Sequence, residues 1–108
     1  MKDLSLPPGM PTVYRGGRSL VFRPHEVKLD RKTGLLKTTH GVSVDAEPGK
    51  VEPFGGAYAV RGIPEGLTIV QRGRRLLHYE IVPSFPMTFD DYQALLDQVE
   101  LGPFQEDP

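Results

Sequence analysis

The chain has 108 residues, 38% of them apolar and 25% charged, which is enough for one small core and excludes a two-domain enzyme. The absence of cysteine excludes disulfides, thiol catalysis and Cys-based zinc sites, and no apolar run approaches the roughly 18 residues that cross a bilayer. The net charge of −1 hides an asymmetry: residues 1–75 hold all 13 Lys and Arg against 7 acids, and residues 76–108 hold 7 acids and no Lys or Arg.

Those halves either neutralise each other in the fold or present a basic face to a phosphate-bearing ligand or an acidic partner. Nucleic acid is disfavoured, because the chain as a whole lacks a basic excess. No basic start runs into an apolar signal segment, so the expectation is a soluble protein with no Sec-type export signal and no membrane partner; the absence of cysteine allows a cytoplasmic site of action, and secretion by a route without a Sec signal stays open.

Along the chain, residues 1–11 carry three prolines and a glycine and predict an irregular arm, residues 12–104 a single domain, and residues 105–108 a loose tail. Thr12-Val13-Tyr14 reads as a short strand stopped by Gly16 and Gly17. Apolar and polar residues alternate from Leu20 to Leu36 around Asp30-Arg31-Lys32-Thr33-Gly34, which predicts a hairpin. Val42 and Val44 flank Ser43 in another strand, broken by Glu47-Pro48-Gly49-Lys50. Tyr58 to Arg61 is a strand, and Gly62-Ile63-Pro64-Glu65-Gly66 turns it into Leu67 to Gln71. Arg72-Gly73-Arg74 then closes a hairpin onto Leu76 to Val82. Only the end reads as helix: Thr88 is a natural N-cap with Asp91 three residues on, Phe89, Tyr92, Leu95, Leu96 and Val99 form one apolar stripe, and Gly102-Pro103 stops it. The sum is a β-rich α+β domain with one C-terminal helix.

Three places combine reactive side chains with strand ends. In Tyr14-Arg15-Gly16-Gly17, an Arg before two glycines can offer its planar fork to a phosphate, or serve as an ordinary surface ion-pair residue. In Thr38-Thr39-His40-Gly41-Val42-Ser43, hydroxyls can fix a ribose or cap turns, and His40 is either a general base or a polar loop residue. In His78-Tyr79-Glu80, alternation puts His78 and Glu80 on one strand face, where they can share a ligand or simply face solvent. The scattered His25, His40 and His78 make no chelating pair, so no metal is expected.

In this order the three sites, with Ile63-Pro64-Glu65-Gly66-Leu67, His78-Tyr79-Glu80-Ile81-Val82-Pro83 and Pro86-Met87, resemble the ADP-ribosyltransferase-like effector toxins of type VI secretion, which a small immunity protein neutralises. The similarity runs from about Val13 to the helix after Met87. It implies two packed sheets with an NAD cleft between them, and NAD as substrate. It implies Arg15 gripping the dinucleotide, Ser43 with Thr39 supporting the site, and Glu80, or failing it Glu65, steering the reaction. Tyr14, His40 and His78 would line the cleft, and Tyr58 or Tyr79 would cover the nicotinamide ring. Two rival readings stand beside this one: a non-catalytic protein-binding module, one half of a toxin and antitoxin pair, and an NAD-consuming enzyme resembling RNA 2′-phosphotransferases.

Overall fold

A computed structural model describes residues 4–103. The short apolar alternations become six strands: β1 (Tyr14–Gly16), β2 (Val42–Asp45), β3 (Ala57–Gly62), β4 (Leu67–Gln71), β5 (His78–Pro83) and β6 (Glu100–Pro103). They join in one antiparallel sheet of order β4-β5-β2-β1-β3-β6. Helix α1 (Pro48–Val51) and a 3₁₀ turn (Glu52–Phe54) connect β2 to β3, and helix α2 (Phe89–Leu96) connects β5 to β6. No helix among the described residues is long and apolar enough to cross a membrane.

One face of the sheet carries the core. Val13, Val42, Val44, Val60, Ile69 and Ile81 stand there, all nearly inaccessible, and Tyr92 and Leu96 of α2 complete the cluster. Helix α2 begins as its sequence predicts, with the Thr88 hydroxyl accepting from the Asp91 amide at 3.1 Å. Phe22 stacks on Phe89 with ring centroids 5.5 Å apart, and Gln93 ties the same segment down by donating to the Leu20 carbonyl and accepting from the Phe22 amide.

The Tyr92 hydroxyl enters the sheet itself. It accepts from the Val42 amide at 3.0 Å and donates to the Ile81 carbonyl, so one phenol bridges β2 and β5 where their backbones pair. The chain makes room with Gly41, at which a Cβ would lie 1.8 Å from the Ile81 carbonyl oxygen. Burial pushes the Tyr92 hydroxyl well above the usual phenol range, so it stays a neutral donor.

The structure corrects four sequence expectations. The segment from Leu20 to Leu36 is not a hairpin of two strands. Its Asp30–Gly34 turn forms, with the Gly34 amide donating to the Asp30 carbonyl at 2.8 Å, but Pro24 opens a 3₁₀ turn (Pro24–Glu26) and the branches meet only in the isolated bridge of Leu29 with Leu36. The segment after β2 breaks the strand as expected but continues as a helix, where only the C-terminal end was expected to be helical, because Pro48 needs no amide partner in the first turn. Gly102-Pro103 does not end the last helix but lies in edge strand β6, where proline forfeits no ladder bond to an outer neighbour. The Arg61 side chain crosses Gly102, so a Cβ there would sit 2.1 Å from Arg61 Nε and displace that exposed side chain. Finally, the described strands join a single sheet, where two packed sheets were expected. Within the arm, Ser5 exchanges two backbone bonds with Ile63, and the tail at 105–108 lies outside the described residues.

Tyr92→Phe keeps the ring and leaves the Val42 amide and the Ile81 carbonyl without their bridge. We expect a loss of about 1–3 kcal/mol, read as a lower urea midpoint with an unchanged slope. An unchanged midpoint would mean that the two strands close on each other without the phenol.

Candidate functional site

The site originates in a divergence between β1 and β2. Tyr14 is registered opposite Asp45, but beyond that pair β1 follows β3, with Arg15 opposite Tyr58 and Gly16 opposite Ala57. The edge of β2 at Ser43 is thereby left without a backbone neighbour. Side chains take that place. The Ser43 amide donates to Glu26 Oε2 at 3.0 Å, its carbonyl accepts from Arg15 Nη1 at 2.8 Å, and Arg15 Nη1 meets Glu26 Oε2 at 3.1 Å. An ion pair thus supplies the donor and the acceptor that a neighbouring strand would have offered.

Burial opposes ionisation of Glu26, but hydrogen bonds from the Ser43 and Arg23 amides, together with the Arg15 guanidinium, outweigh it and hold the carboxyl below its ordinary value. Arg15 is less completely satisfied. Among the described residues, its Nε is a buried side-chain nitrogen with no hydrogen-bond partner, and such a group is uncommon enough to need an explanation.

A cleft of about 210 Å³ opens over this pair, lined by Arg15, Gly16, Arg23, His25, Glu26, Ser43, Val51 and Phe54. The end of α1 and the 3₁₀ turn after it form one wall. They press on Gly16, where a Cβ would lie 2.7 Å from the Val51 carbonyl oxygen, and they leave Phe54 69% exposed at the lip.

A second cluster surrounds Glu80. Its Oε1 accepts from the Gly41 amide at 3.0 Å, and its Oε2 takes Arg72 Nε at 2.9 Å and His78 Nε2 at 3.1 Å. His40 bonds Thr39 Oγ1 through Nδ1 at 2.8 Å. Partial burial, then the Arg72 charge, hold this imidazole below its usual range, against the opposing pull of Glu80, so it is neutral at pH 7. A third group ties β2 to the β4–β5 turn: Arg75 bonds both oxygens of Asp45 at 3.1 Å.

The expected site residues therefore divide. Arg15 and Ser43 share the cleft. Glu80, registered opposite Ser43 on β5, stands with His78 in the second cluster, and the Thr39-His40 pair immediately precedes Gly41, which that cluster holds. Neither Tyr58 nor Tyr79 lines the cleft: Tyr79 packs against the core and Tyr58 is half-buried beside β1. Tyr14 is half-buried opposite Asp45. Glu65 is exposed ahead of edge strand β4, along a separate hollow of about 450 Å³ that also touches Ser5 and Thr68. Glu26, Arg23, His25 and Phe54 went unrecognised in the sequence. The available signal was the Arg23-Pro24-His25-Glu26 run, a proline-initiated turn whose fourth residue caps the first amide at 2.9 Å. Among the described residues no group of three His, Asp or Glu side chains forms a metal site.

Comparison of the chain with protein-family models, curated proteins and solved structures gives no match.

Glu26 and Asp45 both have folded pKa values below their ordinary 4.5 and 3.8. Each contributes stability that is complete above its ordinary value and is lost as the pH falls through the lowered one. The melting temperature should therefore decline below about pH 4.5, and Glu26→Gln should make that decline shallower while lowering the value at pH 7. Equal slopes for the two proteins would show that the Glu26 charge is not what secures Ser43.

Proposed function

We propose that this chain is a small ADP-ribosyltransferase-like toxin that consumes NAD in the cytoplasm of a target cell and is neutralised by a cognate immunity protein. One observation carries the reading. Arg15, Ser43 and Glu80 come from distant parts of the sequence and stand on three adjacent strands, with Ser43 in register with Glu80 and its carbonyl on Arg15. The order of short motifs from Tyr14-Arg15 to His78-Tyr79-Glu80 points the same way.

In the proposed reaction the bond between nicotinamide nitrogen and ribose C1′ breaks. The bonding pair leaves with nicotinamide and neutralises its ring, while positive charge develops on the ribose. A water or acceptor group then bonds to C1′ and releases its proton to solvent. Arg15 lines the cleft, and its guanidinium suits a phosphate oxygen as partner. The carboxylate that lines the cleft is Glu26, and an ionised carboxylate there stabilises charge on the ribose. Glu80 acts as a positioning residue, since it stands outside the cleft in the cluster of Gly41, Arg72 and His78.

The binding-module reading draws on a different surface. Leu76 is 76% exposed and Leu77 42% exposed in the turn after Arg72-Gly73-Arg74-Arg75, a basic and apolar tip suited to an acidic partner. On that reading a partner binds and NAD is untouched.

The test is induced expression in a bacterium of the wild type beside Arg15→Lys and Ser43→Ala, following growth and intracellular NAD together. Growth arrest with falling NAD is expected for the wild type. Arg15→Lys, which keeps the charge and loses the fork, should slow NAD loss by about 10- to 100-fold while remaining folded by circular dichroism. A harmless wild type with constant NAD overturns the enzyme reading in favour of the binding module.

A further inference from the structure

The sheet ends in two strands whose outer edges are built differently. Strand β6 is guarded: Pro103 has no amide to offer, and the register against β3 shifts between Val60 and Gly62. Strand β4 has neither guard. Leu67-Thr68-Ile69-Val70-Gln71 contains no proline and no charge, and its pairing with β5 runs without a bulge. An unguarded edge of this kind is a template for another strand.

The hydrogen bonding shows which groups stand ready. The Arg72 amide donates to the His78 carbonyl and the Ser84 amide to the Gly66 carbonyl. Gly66, Thr68, Val70 and Arg72 therefore turn their backbone groups toward β5, and Leu67, Ile69 and Gln71 turn theirs outward. The Leu67 amide donates to the Pro64 carbonyl at 3.3 Å, but among the described residues the amides of Ile69 and Gln71 and the carbonyls of Leu67 and Ile69 have no partner. The flanks carry opposite charges, with exposed Glu65 before the strand and exposed Arg72 and Arg74 after it. Arg72 pairs with Glu80, whereas Glu65 and Arg74 enter no ion pair among the described residues. A hollow of about 450 Å³ between Ser5-Leu6-Pro7-Pro8 and the start of β4 leaves room beside the strand.

We propose that the β4 edge docks a second copy of this chain, paired antiparallel about a two-fold axis at Ile69, so that two sheets join into one. A second copy fits because the segment is complementary to itself. In that register Ile69 exchanges backbone bonds with Ile69 of the second copy, and each Gln71 amide reaches the Leu67 carbonyl opposite. Thr68 faces Val70, both half-buried and β-branched. Glu65 falls opposite Gly73, beside the unpaired Arg74, and the two-fold axis makes every contact twice. The proposal is independent of the NAD reading: β5 and β2 separate β4 from the Arg15 cleft, which stays open in both copies.

The experiment joins sedimentation equilibrium of the full chain, from micromolar to millimolar, with cysteine cross-linking, for which the absence of native cysteine gives a clean background. The mass should rise toward that of a dimer. Glu65→Lys should weaken the dimer about 2- to 30-fold, and adding Arg74→Glu to the same chain should restore it; both residues are exposed and unpaired, so neither change disturbs the fold. Thr68 and Val70 face each other as a non-hydrogen-bonded pair, with Cα atoms about 4.5 Å apart, within disulfide reach. A mixture of Thr68→Cys and Val70→Cys chains should therefore oxidise to a covalent dimer several-fold faster than either variant alone. A monomer at every concentration, a dimer indifferent to Glu65→Lys, or a mixture that cross-links no faster than its components overturns the proposal.

Discussion

Strand β2 is the element on which the rest of the molecule depends, and its stability comes from side chains as much as from neighbouring backbone. Three consecutive amides, those of Gly41, Val42 and Ser43, are each answered by a different side chain: Glu80 of β5, Tyr92 of α2 and Glu26 of the 3₁₀ turn. A buried amide without a partner costs about 1–3 kcal/mol, so these contacts are a condition of folding. They also explain how one 3₁₀ turn and helix α2 are locked to a sheet that begins with a strand of only three residues.

Function and fold are consequently hard to separate at this strand. The divergence of β1 from β2 opens the cleft, and the pair that fills the gap, Arg15 with Glu26, is also the chemistry the cleft presents. A substitution at either residue changes the cleft lining and the support of Ser43 at once. Phe54 is free of this coupling, standing exposed at the lip on a turn that does not bond the β2 amides.

The sequence made legible whatever depended on local pattern. Alternation located β2, β3 and β5, and gave the bounds of β4 as observed. The Thr88 cap and the α2 stripe were readable because capping and helical spacing act within a few residues. So was the shared face of His78 and Glu80. What escaped was long-range. Nothing near Gly102-Pro103 says that this segment pairs with β3, because its suitability depends on being at an edge and lying under Arg61. Glu26 was hidden for a related reason: its partners Arg15 and Ser43 lie 11 and 17 residues away. Arg15 was readable from its context either as a phosphate ligand or as an ion-pair residue, and the structure pairs it with Glu26, a partner that the local context could not name.

The charge division takes a similar course from sequence to structure. The basic and acidic halves do not chiefly cancel through direct contact. Among the described residues, the ion pair Arg15–Glu26 and the pairs of Arg75 with Asp45 and Glu47 lie within the basic half, and Arg72–Glu80 is the Arg–carboxylate pair that joins the two. Asp90, Asp91 and Asp97 of the acidic half are exposed on and just after α2. A separation of sign therefore persists on the surface, with the cleft in the basic half. At physiological ionic strength such a field is screened over about 8 Å, too short to add much affinity once a ligand is seated but long enough to favour encounters that bring an anion to Arg23 and His25.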